Sequence, residues 1–296
     1  MLNISTSISD SKKKHKKQGE LQRVIKQLKK NKIAMLGLYI LIVEIILAAF
    51  APYISKYGYA EMDLTACFAT PSFKHFFGCD DMGRDIFSRV LYGGRYSISI
   101  GIIAVLIAVA VGICIGAVAG YFGGQVDNIF MRLLDVVQAI PGMLLMIVIS
   151  AVLGPGFMNT IIALSVSTIP GMARMLRAQM MKERDSEYIE AARSINCSQF
   201  SIIFQHLLPN CISPLIVQAT MGVAQTITLA AGLSFIGLGV QPPLPEWGAM
   251  LSAARSYIRQ SPHLVIFPGL AIAVTVLALN LLGDGLRDAL DPKLKN

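Results

Sequence analysis

The stretch 187–210, EYIEAARSINCSQFSIIFQHLLPN, decides how the rest of the chain is interpreted, because it is polar and long apolar blocks flank it on both sides. Apolar residues recur in its first half at the spacing of one helical face, at Tyr188, Ala191, Ala192 and Ile195. The second half repeats this spacing at Phe200, Ile203, Phe204, Leu207 and Leu208. Ser198 is a suitable N-cap for the second segment, and Pro209 discourages its continuation. The pattern predicts two short amphipathic helices on either side of Asn196.

The composition is that of a membrane protein. Of the 296 residues, 54% are hydrophobic and 15% are charged, whereas globular proteins carry roughly 25% charged residues. The net charge of +8 does not indicate nucleic-acid binding, because ten of the 26 Lys and Arg residues precede residue 33 and basic residues are not interleaved with aromatic ones. We therefore expect a lipid bilayer, and no nucleic acid, around this chain.

Blocks with one charged residue or none predict an all-α fold with six membrane-spanning helices. The predicted spans lie at 33–54, near 97–119, on either side of the turn 153–156 within 136–173, within 207–245, and at 264–283. Lys and Arg are concentrated in the segments that this arrangement places inside, so both termini and the 187–210 stretch are predicted to be cytoplasmic. The resulting segments are a basic N-terminal region 1–32, the first span 33–54, an extracytoplasmic loop 55–96, a five-helix core 97–286 and a tail 287–296.

Several residues inside the predicted spans are unusual there. Gly112, Gly116 and Gly120 form a small-xxx-small stripe suited to close helix packing. Pro141 and Pro170 fall within the third and fourth predicted spans, where neighbouring helices can satisfy the carbonyls that proline leaves free. Glu44 falls near the middle of the first span, where a charge costs about 3 kcal/mol. Its carboxyl should therefore be protonated or face a protein partner, and a position on a translocation path is one interpretation.

The extracytoplasmic loop contains three aspartates, at 80, 81 and 85, which raises the question of a calcium site. Their spacing does not fit the alternate positions of an EF-hand, so we predict no metal site here. A tight turn bounded by glycines, with paired arginines and aspartates, explains the same residues, which are Gly78, Asp80, Gly83, Arg84, Asp85 and Arg89. Cys67 and Cys79 share this loop, and a disulfide between them stays open.

The polar stretch also carries a resemblance. Glu190, Ala191 and Ala192, followed by a turn residue at Asn196 and then by Ile203, Leu208 and Pro209, resemble the EAA loop of ABC importer membrane subunits. The resemblance implies that these residues dock into a cleft on an ATPase subunit. The family has glycine at the turn, and asparagine is the next most tolerant residue of the left-handed conformation that such a turn needs.

Two further segments resemble the C-type permease subunit of dipeptide and oligopeptide importers. Residues 78–89 are similar to its GTDxxGRDxxSR stretch, with Cys79 where threonine is usual, and residues 239–251 are similar to its GVQPPxPxWGxML block. The resemblance covers nearly the whole chain from about residue 22. It implies a type I ABC importer permease fold in a prokaryotic cell membrane, a similar second permease subunit, two ATPase subunits and an extracytoplasmic solute-binding protein that delivers peptides.

Motifs for chemistry are absent from the sequence. No Gly-Lys pair exists, so there is no GxxxxGK[ST] phosphate loop, and neither HExxH nor GxSxG occurs. We therefore expect a non-catalytic subunit without a cofactor, driven by the ATPase subunits. Two alternatives stay open. The same machine could import nickel, metal chelates or glutathione. Alternatively, the chain could be an ion-coupled secondary transporter, and Glu44 is the one ionisable residue that it offers near mid-membrane.

Overall fold

A computed structural model describes residues 25–290, and over that range the chain is helical, its strand pairing limited to an isolated bridge between Cys79 and Asp85. The outer parts of the predicted 1–32 and 287–296 segments, residues 1–24 and 291–296, lie outside the described residues. The helices are α1 Lys32–Ala49, α2 Ala51–Ile54, α3 Ile86–Phe122, α4 Gly124–Gln138, α5 Gly142–Leu153, α6 Phe157–Glu183, α7 Glu187–Ser194, α8 Gln199–Phe235, α9 Trp247–Ala254 and α10 His263–Leu290.

The predicted spans correspond to α1, α3, the α4–α5 pair, α6, α8 and α10. Among the described residues, four helices are long and apolar enough to cross a membrane, namely α1, α3, α8 and α10, and α4 with α5 makes a fifth if that bent pair is one span. Helix α6 has the length of a span, with 27 residues, but its second half is basic, with Arg174, Arg177 and Lys182. The all-α, multi-span prediction is confirmed.

Two helices extend beyond the spans that the sequence predicts. Helix α3 begins at Ile86 rather than near residue 97, because the Asp85 carboxylate accepts the Ser88 amide at 2.8 Å and so caps the helix early. Helix α10 continues to Leu290, beyond the predicted end at Gly283.

The third predicted span is not straight. The chain bends by 80° between α4 and α5. Pro141 stands at the bend as the N-cap residue of α5, so it does not lie inside a helix as predicted. Proline cannot donate a backbone hydrogen bond to the preceding turn, which favours a break at this place. Pro170, by contrast, lies inside α6, as the sequence indicates.

The centre of the bundle is the contact between α3 and α6. The predicted glycine stripe faces α6, since a Cβ at Gly112 would stand 2.7 Å from Met172 Cβ and one at Gly116 would stand 2.5 Å from the Ala173 carbonyl oxygen. Helix α8 packs on both α3 and α6, and α10 packs on α1 and α8. The long helices therefore form one connected bundle.

Candidate functional site

The turn between α7 and α8 has the conformation that the sequence indicates. Asn196 has a φ of 59°, in the left-handed region where asparagine is well tolerated. Its amide donates to the Arg193 carbonyl at 2.9 Å and the Cys197 amide donates to that of Ala192 at 3.1 Å, which closes the end of α7. Ser198 accepts the Ser201 amide at 3.2 Å, so its predicted capping role is confirmed.

One face of this helix pair belongs to the core of the bundle. Ile189 and Ala192 of α7 and the first turns of α8 are buried in a single apolar cluster with α3 and α6. The members contributed by the pair are Ile189, Ala192, Ile202, Ile203 and Leu207, and those of α6 are Met172, Leu176 and Met180. A shared core means that the pair cannot shift without displacing the long helices.

The apolar face that the sequence predicts for α7 does not coincide with the face that packs on the core. Of the four residues assigned to it only Ala192 is buried, while Ile195 is 76% exposed and Tyr188 and Ala191 also face outward. Ile189, three residues before Ala192, takes the inner position with no exposed surface. Ile189 and Ala192 are also spaced as one helical face, so two turns of helix leave both registers open in the sequence.

The outer face of the pair is exposed and carries apolar side chains together with the Glu190 carboxylate. We call it the coupling surface, and its residues are Tyr188, Glu190, Ala191, Ile195, Phe200 and Phe204. The two phenylalanine rings lie 4.4 Å apart between centroids. The Tyr188 hydroxyl accepts from Asn210 Nδ2 at 3.2 Å and lies 3.1 Å from Glu183 Oε2, and burial raises its pKa. This surface is held in place by hydrogen bonds as well as by the core.

The remaining residues that resemble the EAA loop, Ile203, Leu208 and Pro209, lie near the start of α8. Ile203 is buried, Leu208 is half-buried and Pro209 is exposed. The expectation that Pro209 ends the helix is wrong. Residues Ile202–Leu207 form a π-helical turn in which the Leu208 amide reaches the Ile203 carbonyl. Pro209 then stands in the first turn of the α-helical part, where its missing N–H costs nothing.

The motif of residues 78–89 is brought together around one carboxylate. Asp80 Oδ1 accepts the Met82 and Arg84 amides, each at 2.9 Å, and Oδ2 accepts Arg84 Nε at 2.7 Å. Arg89 Nε lies 3.6 Å from the same Oδ2, and its Nη1 donates to the Tyr59 carbonyl at 2.9 Å. These contacts satisfy Asp80, Arg84 and Arg89 within the loop, which supports the structural interpretation of the motif.

The two motif glycines are required by their backbone. Gly78 and Gly83 have φ values of 80° and 73°. A Cβ at Gly78 would stand 2.5 Å from the Ala69 carbonyl oxygen, and one at Gly83 would stand 1.8 Å from that of Asp63. The loop folds back on itself at both places so closely that no side chain fits.

The loop cysteines are free thiols, so the disulfide that the sequence leaves open is not formed. Cys79 is fully buried, and burial together with the nearby Asp85 carboxylate raises the pKa of its thiol to about 11. Cys67 is half-buried.

Two ion pairs tie α4 to α6, which the sequence analysis missed. Asp127, buried at the start of α4, binds the Arg177 guanidinium through both carboxylate oxygens. Asp135 pairs with Arg174. The signal in the sequence is the placement of two arginines three residues apart on α6 and two aspartates eight apart on α4, which only the packed helices bring together.

Glu44 faces another helix. Its Oε2 lies 2.9 Å from the hydroxyl of Thr275, a fully buried residue of α10. The same hydroxyl lies 2.8 Å from the Ala271 carbonyl oxygen. A hydroxyl has one proton and cannot donate to both, whereas a protonated Glu44 that donates to Thr275 satisfies both contacts. Glu44 therefore links α1 to α10.

We expect Glu44→Gln to keep transport near the wild-type level, because the amide retains a donor for Thr275. Glu44→Leu removes the hydrogen bond, worth about 1 kcal/mol, and should lower the midpoint of thermal unfolding by a few degrees. Uptake assays and unfolding of the purified protein check both. Loss of uptake by a stably folded Glu44→Gln protein would instead assign the carboxyl to the translocation path.

A groove lies at the α4–α5 bend, with a volume of about 300 Å³. Val137, Ile140 and Leu145 line it together with the polar side chains of Gln138 and Ser167.

Comparisons with known proteins bear on this arrangement. A family model described as "Binding-protein-dependent transport system inner membrane component" matches residues 112–296, and one described as the N-terminal TM domain of oligopeptide transport permease C matches residues 19–71. The chain is 45% identical to the dipeptide transport system permease protein DppC of Alkalihalophilus pseudofirmus, over 93% of this chain and 90% of that protein. It is 46% identical to the glutathione transport system permease protein GsiD of Pectobacterium atrosepticum, over 88% and 86%.

A solved structure agrees on the fold. An inward-facing crystal form of the MetNI methionine ABC transporter aligns with a TM-score of 0.57 at 17% identity, over 69% of this chain and 97% of that one. The likeness at this identity concerns the fold alone, which is that of a type I ABC importer permease. With the fold, the relatives and the family match in agreement, this multi-pass chain belongs to the family of binding-protein-dependent transport system inner membrane components.

Proposed function

We propose that this chain is one of the two permease subunits of an ATP-driven importer of dipeptides or oligopeptides, and that the coupling surface docks on an ATPase subunit. The observation that carries the proposal is the double role of the α7–α8 pair. Its outer face exposes apolar side chains and the Glu190 carboxylate, while its inner face shares a core with α3 and α6. An exposed apolar patch of this kind is typical of a protein contact.

The coupling is mechanical. The chain has no phosphate loop, so ATP is bound and hydrolysed by the partner subunits. Closure of the ATPase subunits displaces the coupling surface, and the shared core carries the displacement into the long helices. The excess of Lys and Arg in the N-terminal region supports an orientation with both termini and the coupling surface in the cytoplasm. An extracytoplasmic solute-binding protein then delivers the substrate from the other side of a prokaryotic cell membrane.

Short peptides are the substrate class that the relatives favour. The two relatives described above are named for dipeptide and glutathione transport, and glutathione is itself a tripeptide. We therefore place peptides before nickel and metal chelates. Competition of labelled dipeptide uptake by glutathione, by longer peptides and by Ni²⁺ separates these classes, and uptake inhibited by Ni²⁺ alone would contradict a peptide substrate.

Glu190→Arg tests the docking role of the coupling surface. Glu190 is exposed, and its side chain makes no hydrogen bond within the described residues, so the substitution should not disturb the fold. Reversal of a charge that meets a polar partner costs about 2 kcal/mol or more, which corresponds to an affinity for the ATPase subunits weakened more than tenfold. We expect ATP-dependent uptake and co-purification of the ATPase to fall together.

Glu61→Arg is the matched control for that experiment. Glu61 is also exposed but lies in the extracytoplasmic loop. It makes only one local hydrogen bond, from the Gly58 amide. The control should retain ATPase co-purification, and wild-type uptake by Glu190→Arg would remove the assignment of this face to the ATPase.

A secondary transporter is separated from this function by its energy source. Uptake that continues under an uncoupler and stops when ATP is removed supports the proposal, and the reverse pattern contradicts it.

A further inference from the structure

Three side chains with metal-binding groups gather at the base of the extracytoplasmic loop, through backbone contacts that fix two of them opposite each other. Cys79 and Asp85 form an antiparallel bridge. The Asp80 amide donates to the Arg84 carbonyl at 3.0 Å, and the Ile86 amide donates to that of Gly78 at 3.0 Å. Residues directly opposite in such a pair direct their side chains to the same face, with Cβ atoms about 5 Å apart.

His75 joins the pair from the preceding turn, in which the Gly78 amide donates to its carbonyl at 3.0 Å. One ligand atom from each of His75, Cys79 and Asp85 lies within 4.8 Å of the others. Zinc binds sulfur at about 2.3 Å and nitrogen or oxygen at about 2.0–2.2 Å in a tetrahedral arrangement, so its ligand atoms stand about 3.3–3.8 Å apart. The three groups therefore have to move closer by up to about 1 Å to share one ion.

All three side chains are enclosed, with residue exposures of 4% for His75, none for Cys79 and 4% for Asp85. The Nδ1 atom of His75 lies 2.9 Å from Asp85 Oδ1, whereas its Nε2 is buried without a hydrogen-bond partner among the described residues. Asp85 uses its other oxygen, Oδ2, to accept the amide and hydroxyl of Ser88 at the start of α3. Asp85 Oδ1 is thus not used by the helix cap, and an ion bound between it and His75 Nδ1 takes the place of their hydrogen bond.

The donor set decides the class of ion. An imidazole, a thiolate and a carboxylate supply nitrogen, sulfur and oxygen, a combination suited to Zn²⁺ and related divalent transition metals rather than to Ca²⁺ or Mg²⁺. The thiolate and the carboxylate together carry two negative charges, which match a divalent cation. We propose that His75, Cys79 and Asp85 form a binding site for Zn²⁺ or a related divalent transition-metal ion.

The site has a structural role. The ion ties the loop to the bridge and, through Asp85, to the first turn of α3. Binding requires loss of the Cys79 proton, so one proton or more is released for each ion bound. The proposal concerns the extracytoplasmic loop and does not depend on which substrate the transporter carries.

Zinc binding by the tag-free full-length protein, purified with its partner subunits and treated with EDTA, tests the site. After Zn²⁺ is added and excess is removed by dialysis, elemental analysis should find a bound equivalent that Cys79→Ser loses, with at least tenfold weaker binding. Co²⁺ in place of Zn²⁺ should give a thiolate-to-cobalt charge-transfer band that Cys79→Ser abolishes. Cys67→Ser is the matched control, since Cys67 lies in the same loop outside the cluster, and should retain both signals.

Unchanged Zn²⁺ binding and an unchanged cobalt band in Cys79→Ser would overturn the proposal, as would a wild-type protein that binds no Zn²⁺. If Cys79→Ser does not accumulate, Cys79→Thr and His75→Gln replace it, the first carrying the residue usual at this position in the resembling motif. Either variant should lose the cobalt band, and its persistence in both would place the ion elsewhere.

Discussion

Gly83→Ala should prevent the chain from accumulating in the membrane. The residue has a φ of 73°, and a Cβ there would stand 1.8 Å from the carbonyl oxygen and 2.5 Å from the carbonyl carbon of Asp63. A left-handed backbone costs about 1–3 kcal/mol for a residue with a side chain, and an overlap with backbone atoms adds about 1–3 kcal/mol more because the loop has to open. Together these amount to about 2–6 kcal/mol, which reaches the lower end of the stability of a typical domain, about 5–15 kcal/mol.

Membrane levels by immunoblot and thermal unfolding in detergent measure this effect. Gly58→Ala is the control, because Gly58 lies in the same loop and the nearest atom to its added Cβ, Glu61 Cβ, stands 3.6 Å away. The control should accumulate like the wild type. Equal levels of the two variants would mean that the loop does not close on Gly83 as described.

Gly116→Ala should destabilise the bundle and reduce transport. Its Cβ would stand 2.5 Å from the Ala173 carbonyl oxygen and 3.0 Å from Leu176 Cβ, both on α6. The α3–α6 contact has to widen, at a cost of about 1–3 kcal/mol. Because Leu176 also belongs to the core under the coupling surface, the displacement should weaken coupling to ATP hydrolysis as well as stability.

Gly171→Ala gives the opposite expectation and is the control for Gly116. This glycine also lies in a long helix, α6, but a Cβ added there meets no atom within 4 Å. Alanine favours a helix over glycine by about 1 kcal/mol, so the unfolding midpoint should stay the same or rise. A fall of equal size in both variants would show that helix contact is not the reason for the Gly116 effect.

Features set by local chemistry or by long composition were predictable from the sequence. The uncharged blocks located the long helices, the Gly112–Gly120 stripe located a close helix contact, and the short polar side chain of Asn196 was compatible with its left-handed turn. Asp80, Arg84 and Arg89 of the 78–89 motif contact one another within one loop, as the proximity of such residues in the sequence suggests.

Features decided by packing were not predictable. In α7, Ile189 rather than Tyr188 faces the core, and the spacing of apolar residues does not distinguish the two. Helix α8 continues past Pro209 because a π-helical turn precedes it. The pairing of Asp127 with Arg177 joins residues that are 50 positions apart. The cluster of His75, Cys79 and Asp85 escaped notice because the strand bridge that aligns two of them is too short to leave a pattern.

The bend between Gln138 and Gly142 affects which surroundings this side of the chain can have in a bilayer. A helix end leaves up to four carbonyl groups without partners, and acyl chains offer no hydrogen bonds to them. Lipid is therefore a poor solvent for this side of the molecule, and the groove lined by Gln138 and Ser167 has to be hydrated or sealed by another polypeptide. When the chain is expressed without its partner subunits, membrane quality-control proteases should degrade it.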